Sequence, residues 1–387
     1  MTGRMYLGFA PFAGEKMTRF HDPHTENQSM KTHTYSRFSL GAGVLALLLG
    51  AQAARAEPLV YIPLGGDGRI VVVDAARDEV VGSISGLKAV HGLAGTPDGK
   101  YLIAGSYAER SADGVPAKPE GMSEDEHASH HMAKANQPGE SARKAVSTVS
   151  VIRTSDRAIV RAIDVPGAVH HVSVSPDGRL AVVTHPDAGG VSAIDLASYE
   201  VVASIATGSA PNYSVFSPDT SRLYVSSAGD GAIAVVNTAT WTLERTIAVG
   251  TTPEHLVVSR NGKTLYVSNV EDGTVSLVDT AAGQTTSTIE IGSTLHGIDL
   301  SKDGRSLFVA ALGDDQIARV DLATGMVKTV SLSPGPYHLT TIKGTSKIYV
   351  SSSDEPKVWV IDQANLHVIG EIAIGGKGHQ MAIAPGL

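Results

Sequence analysis

The sequence predicts an all-β fold: a seven-bladed β-propeller with four antiparallel strands per blade, its ring closed by the C-terminal strand joining the N-terminal blade. One phrase returns seven times, starting at His91 (HGLAGTPDGK), His170, Asn212, Glu254, His296, His338 and His379. From His170 onward these starts lie 42, 42, 42, 42 and 41 residues apart. A period near 40 with strand-like content marks propeller blades. Each unit also holds four short β-branched runs between turn signals, as in 254–295 with HLVVS, TLYVSN, TVSLVD and TSTIEI. Finally, residues 59–90 align with the last three strands of a unit and the C-terminal HQMAIAPGL with the first, so the two ends share one blade.

Taken in chain order, residues 1–29 are a polar extension to which no fold or function is assigned. Residues 30–56 read as a secretory signal peptide: Lys31 and Arg37 precede an apolar run, Gly41 to Ala51, followed by Ala54-Arg55-Ala56. Cleavage after Ala56 places the mature chain in the periplasm or outside the cell. The apolar run is too short to span a bilayer comfortably, so no transmembrane segment is expected in the mature protein. Residues 57–387 form the propeller, with a His-rich insertion at 109–146.

Within each blade, Asp98-Gly99, Asp177-Gly178, Asn261-Gly262 and Asp303-Gly304 turn the chain between strands A and B, because these residues tolerate positive φ. Strand C ends in Asp74, Asp195, Asn237, Asp279, Asp321 or Asp362, short side chains that bond the backbone of the following turn. The first interval of the repeat, 91 to 170, is longer by 37 residues, and the excess is the insertion between strands B and C of the second blade.

Four strand-B segments, LYVSN at 265–269, LYVSS at 223–227, IYVSS at 348–352 and LFVAA at 307–311, resemble the YVTN-type seven-bladed propeller repeats of exported bacterial proteins. That resemblance implies the architecture. It leaves activity open, since similar rings serve as binding platforms, cofactor holders, lactonases or lyases.

A net charge of −8 and a pI near 6.0 argue against nucleic acid as a partner. With no cysteine, thiolate metal sites and CxxCH haem attachment are excluded, and a metal must use His, carboxylate or Met. The repeated register places His91, His170, Asn212, Glu254, His296, His338 and His379 where the D-to-A loop enters the innermost strand, at the mouth of the central channel. Alternation along a strand predicts that His171 and His255, one residue further, point the other way.

The insertion adds a second set. Ser123 and Glu126 form a capping box opening SEDEHASHHMAKA, and on a helix His127, His130 and His131 share one face. Met132 suits a softer ion, and Glu124, Asp125 and Glu126 add negative potential. His185, in the B-to-C loop of the next blade, is a further candidate ligand. The candidate metal ligands are therefore His127, His130, His131, His91, His170, His296, His338, His379, His185 and Glu254, for a Zn or Cu ion.

The function expected is a periplasmic metal-binding propeller, a metallochaperone passing its ion to a periplasmic acceptor protein. By fold and His usage it resembles the propeller zinc chaperones that serve bacterial ABC importers. Two alternatives share the channel mouth: a haem-type cofactor holder with an axial His, and a lactonase- or lyase-like enzyme. A third is a protein-interaction scaffold. No catalytic residue is assigned. Replacing His127, His130 and His131 together by Ala is expected to remove one metal site in calorimetry while leaving the thermal transition of the metal-free chain nearly unaltered, because the insertion lies outside the blades.

Overall fold

The computed structural model describes residues 58–112 and 145–384. The N-terminal extension, the signal peptide, and His127, His130 and His131 lie outside the described residues. Among those described, no helix is long and apolar enough to cross a membrane.

The described residues form seven antiparallel sheets in a ring, the seven-bladed propeller predicted above. Blade 1 joins both ends of the chain: Ala382–Ala384 supplies strand A, and Leu59–Leu64, Arg69–Asp74 and Glu79–Ile84 supply B, C and D. The closure pairs Leu59 with Ala384 and Tyr61 with Ala382, with a further bridge from Leu64 to Gly378. In blade 2, strand A is Val90–Gly95, B Tyr101–Ser106, C Ala145–Arg153 and D Ala158–Pro166. Strands A of blades 3 to 7 are Val172–Val174, Pro211–Phe216, Pro253–Val258, Leu295–Leu300 and Pro336–Thr341.

The apolar core lies between blades. Ile62, Val71 and Val73 of blade 1 pack with Tyr349, Val358 and Val360 of blade 7. Likewise Tyr224, Ile233 and Val235 of blade 4 meet Leu256, Leu265 and Val278 of blade 5. This is why strands B and C read as near-continuous apolar runs: both of their faces are covered by neighbouring sheets. Each fully buried Val, Leu or Ile contributes about 1.5–3 kcal/mol, so the ring is held by blade-to-blade contact. Strand D is the half-exposed rim, with Val202, Leu243 and Ile369 facing outward.

The turns follow their sequence signals. All six strand-C Asp and Asn residues accept backbone N–H bonds from the turn, as where Asp279 Oδ1 takes the Ala281 and Ala282 amides at 2.9 and 2.8 Å. In the four Asp/Asn-Gly turns between strands A and B only the glycine takes positive φ, for example +73° at Gly178, while in blade 4 Thr220 takes it at +64°. The preceding Asp accepts instead, as Asp177 Oδ1 does from the Ser175 hydroxyl and the Arg179 amide.

Strand A departs from regular pairing near its start, and this departure builds the channel. In blade 5, Pro253 pairs with Asn269 and Leu256 with Val267, so Glu254 and His255 together face the single residue Ser268. The same bulge recurs in blades 2, 4, 6 and 7. A bulge re-aims the side chains it carries. The strand-B residue facing it is a hydroxyl in several blades, and that hydroxyl ties the bulge to the next blade. Thr184 takes the His171 amide and donates to Asn212 O at 2.8 Å, while Ser226 takes the Tyr213 amide and donates to Glu254 O at 2.6 Å. Ser268 bridges His255 O and His296 O. The YVS serines Ser226 and Ser268 are thus clips between blades.

In blades 2 and 6 the residue facing the bulge is Gly105 or Ala310, and the second bulge residue is glycine. A Cβ at Gly297 would stand 2.5 Å from Leu339 N, and one at Gly92 2.7 Å from His170 O. Gly297→Ala is therefore expected to cost about 1–3 kcal/mol, as overpacking does. Gly66→Ala, where a Cβ meets nothing within 4 Å, should be close to neutral. Urea midpoints of the two variants check the contrast.

Candidate metal centre

Because each bulge presents two adjacent residues, the channel carries two stacked layers. Nearer the face with the D-to-A loops, the upper layer is His91, His170, Asn212, Glu254, His296, Tyr337 and His379. Below it stand Gly92, His171, Tyr213, His255, Gly297, His338 and Gln380. Strand pairing assigns the layers: Pro253, Leu295 and Pro336 each face the last residue of their strand B, so Glu254, His296 and Tyr337 are equivalent.

Two expectations are corrected here. His338 does not share the register of His296; it is equivalent to His255, because strand D of blade 6 lacks the one-residue bulge that the other blades carry against strand C, and the true step is 296 to 337. Nor are His171 and His255 turned away from the channel. The bulge suspends simple alternation, and both stand against the same imidazole cluster as the upper layer.

The imidazoles form a continuous circuit around the axis. Ring centroids are 4.4 Å apart for His379 and His91, 4.5 Å for His91 and His170, and 4.2 Å for His170 and His171. The circuit continues through His171 and His255 at 5.0 Å, His255 and His338 at 5.0 Å, and His338 and His379 at 6.0 Å. Within it, His171, His255 and His338 bring one ring nitrogen each within 4.8 Å of the others. Zinc–nitrogen bonds of 2.0–2.1 Å set tetrahedral ligands about 3.4 Å apart, so small ring movements close this triad on an ion.

Its protonation suits the task. Burial, reinforced by the neighbouring histidines, holds His338 well below the usual imidazole range, hence neutral and able to ligate. The buried Nε2 of His338 has no hydrogen-bond partner among the described residues, the condition of an atom awaiting a ligand. His171 Nδ1 donates to Asn212 O at 2.9 Å. A carbonyl can only accept, so this bond leaves the lone pair on Nε2, the outer-shell arrangement typical of ligating histidines. Three imidazole ligands would leave the fourth position of a tetrahedral ion open.

Gln380 of the lower layer, two residues before the closing strand, ties blades 2, 3 and 4 together. Its Oε1 accepts from Leu93 N and Val172 N, and its Nε2 donates to Val172 O and the Tyr213 hydroxyl. Tyr213 lies against His171 and His255 at 4.8 and 4.9 Å. Burial pushes its phenol up to about 12, so it stays protonated.

Of the remaining candidates, His91 donates through Nδ1 to His170 O at 2.8 Å and lies with His170 and His379 on one side of the circuit. His185 is removed from the set: its Nδ1 donates to Ala168 O at 3.1 Å, its Nε2 meets Ser192 Oγ at 2.9 Å, and it is buried between strands. Its role is to join the blade 3 sheet to the loop before strand A. The insertion leaves blade 2 as a short stem pairing Arg110 with Val146 and Ser111 with Ala145. Glu109, at the base of the stem, accepts from Ala168 N at 2.9 Å, and Tyr107 lies 5.5 Å from the His91 ring. The insertion thus starts beside the channel mouth. Sequence reasoning missed Tyr213, Tyr337 and Gln380; their signal was position in the repeat, obscured because none is a histidine.

Among proteins of known family, residues 142–376 match the cytochrome D1 heme domain. No curated protein matches the chain. Among solved structures, the gluconolactonase of the Pseudomonas aeruginosa periplasm is similar at 18% identity and TM-score 0.65, over 84% of this chain and 99% of that one. Hydrazine synthase of Kuenenia stuttgartiensis is similar at 17% identity and TM-score 0.61, over 78% and 95%. A dihydro-heme d1 dehydrogenase follows at 16% and 0.58, over 81% and 63%. At these identities the likeness is one of fold.

The buried histidines also set a pH dependence. His338 and His185 are both held below the usual imidazole range by burial. Unfolding lets them take up protons near their ordinary value of about 6.5, so the unfolded chain gains stability as pH falls through that value. The metal-free protein should therefore keep its full stability above about pH 6.5 and lose it on acidification. Urea midpoints at pH 7.5 and pH 5.5 test this, and a midpoint that rises in acid would contradict it.

Proposed function

This chain belongs to the cytochrome D1 heme domain family, and from its imidazole-filled channel we propose that it carries a divalent transition metal ion, zinc or copper, rather than a macrocycle. The observation that supports this is the buried triad His171, His255 and His338, with the His338 Nε2 lacking a hydrogen-bond partner. An all-nitrogen set of this kind suits Zn²⁺ and Cu²⁺ better than Mg²⁺ or Ca²⁺, which take oxygen ligands.

The signal peptide and the absence of cysteine favour an exported, periplasmic protein. An ion-carrying role, with delivery to an acceptor protein, accounts for two His sets: the channel triad, and His127, His130 and His131 in an insertion whose base lies at the channel mouth. Binding at His338 releases no proton, because burial holds that imidazole well below the usual range. Ligands already packed in place pay less ordering entropy than ligands that must be gathered for the same bonds, so the channel is proposed as the tighter holder.

The family implies a haem, and the residues present do not fit one within the channel. Neighbouring imidazoles of the circuit are 4.2–6.0 Å apart and His171 lies 5.7 Å from His338 across it, a gap that an ion spans and a porphyrin-type ring cannot enter. A haem-type cofactor remains the second reading, favoured by the family match. It requires a seat on the face above the upper layer.

Calorimetric titration with Zn²⁺ decides between them. His171→Ala and His338→Ala should each weaken channel binding by more than the roughly 10–100-fold that loss of an outer-shell partner brings. Wild-type affinity in both variants would sink the metal reading. A visible haem band in the purified protein, or its appearance on titration with a haem, would establish the second.

A further inference from the structure

The channel holds a second potential ligand set. Glu254, His255 and His296 also bring one ligand atom each within 4.8 Å of one another, and His255 is common to both triads. Glu254 Oε2 and His296 Nε2 are 3.9 Å apart, with side chains only 2% and 5% exposed. That distance is too long for a hydrogen bond and within about half an ångström of the separation of roughly 3.4 Å that two ligands keep on one tetrahedral ion.

The two sets differ in height and in charge. Glu254 and His296 belong to the upper layer, nearer the open face, whereas His171 and His338 belong to the lower. A dication leaving water for a buried site pays a desolvation penalty that a carboxylate offsets with a full opposite charge and an imidazole only through its lone pair. The upper set therefore suits an ion that has just shed its water. The lower set suits one already inside.

Resting on the metal-carrying function proposed above, we infer that Glu254, His255 and His296 form an upper coordination position for the same ion. The ion passes between positions by exchanging Glu254 and His296 for His171 and His338 while His255 stays bound. One imidazole serves both positions, so the channel holds a single ion at a time. Ligand-by-ligand exchange avoids a bare buried cation at any stage.

Cobalt(II) is the probe, because its visible absorption distinguishes an all-nitrogen set from one containing a carboxylate. The parent is the full chain with His127, His130 and His131 replaced by Ala, and it should take up one Co²⁺. His338→Ala should still bind one Co²⁺, at least tenfold more weakly and with a changed spectrum. Adding Glu254→Gln to that variant should abolish binding, as should His255→Ala alone. If His338→Ala does not fold, as judged by its far-UV dichroism, His171→Ala leaves the same upper triad intact and is read in the same way. The upper position is overturned if the lower-site variant binds no Co²⁺, if Glu254→Gln makes no further difference, or if the parent takes two Co²⁺. A parent that binds no Co²⁺ overturns the metal-carrying function itself.

Discussion

Seven innermost strands must approach one axis, and the space at that axis cannot hold seven full side chains in every layer. Everything in the channel follows from this crowding. Gly92 and Gly297 stand where a Cβ would strike the neighbouring strand's backbone. Their smallness gives up space that His171, His255 and His338 occupy. The bulge at the start of strand A answers the same constraint, because it lets each blade present two successive residues to the channel where regular alternation would present one. The hydroxyls of Thr184, Ser226 and Ser268 satisfy the backbone groups that the bulge takes out of the sheet ladder.

Crowding also sets the chemistry. Imidazoles packed against one another and shielded from water cannot all be charged, so burial selects the neutral form, which is the form that ligates. On the function proposed here a metal ion suits such a site, because each neutral ring offers it a lone pair. The same packing leaves no slot for a flat cofactor between them. Membership of a haem-domain family and an imidazole-filled channel are compatible, since a fold can outlast the group bound to it.

The register of the histidines shows how a local count misleads. Five nearly equal intervals suggested one ring of equivalent residues, yet strand D of blade 6 lacks the bulge of the other blades, and the missing residue shifts His338 into the lower layer. Spacing along the chain records the sum of all turns, strands and bulges between two residues, so the loss of a bulge and a slip in register look the same. Pairing with Ser352 and Val350 resolves the ambiguity. His185 illustrates the converse: as a loop histidine it looked accessible, and hydrogen bonds to Ala168 and Ser192 make it part of the sheet.

Blade number, strand content, turn chemistry and the closure of blade 1 by the C-terminal strand were all legible in the chain. They depend on short-range rules, namely periodicity, glycine at positive φ and Asx capping, which act within a few residues. The abundance of histidine near the channel mouth was legible too. Which histidines converge was not, because convergence depends on bulges that override alternation and on contacts between strands more than a hundred residues apart, as where Gln380 reaches Val172 and Tyr213. Those contacts exist only once the ring has closed.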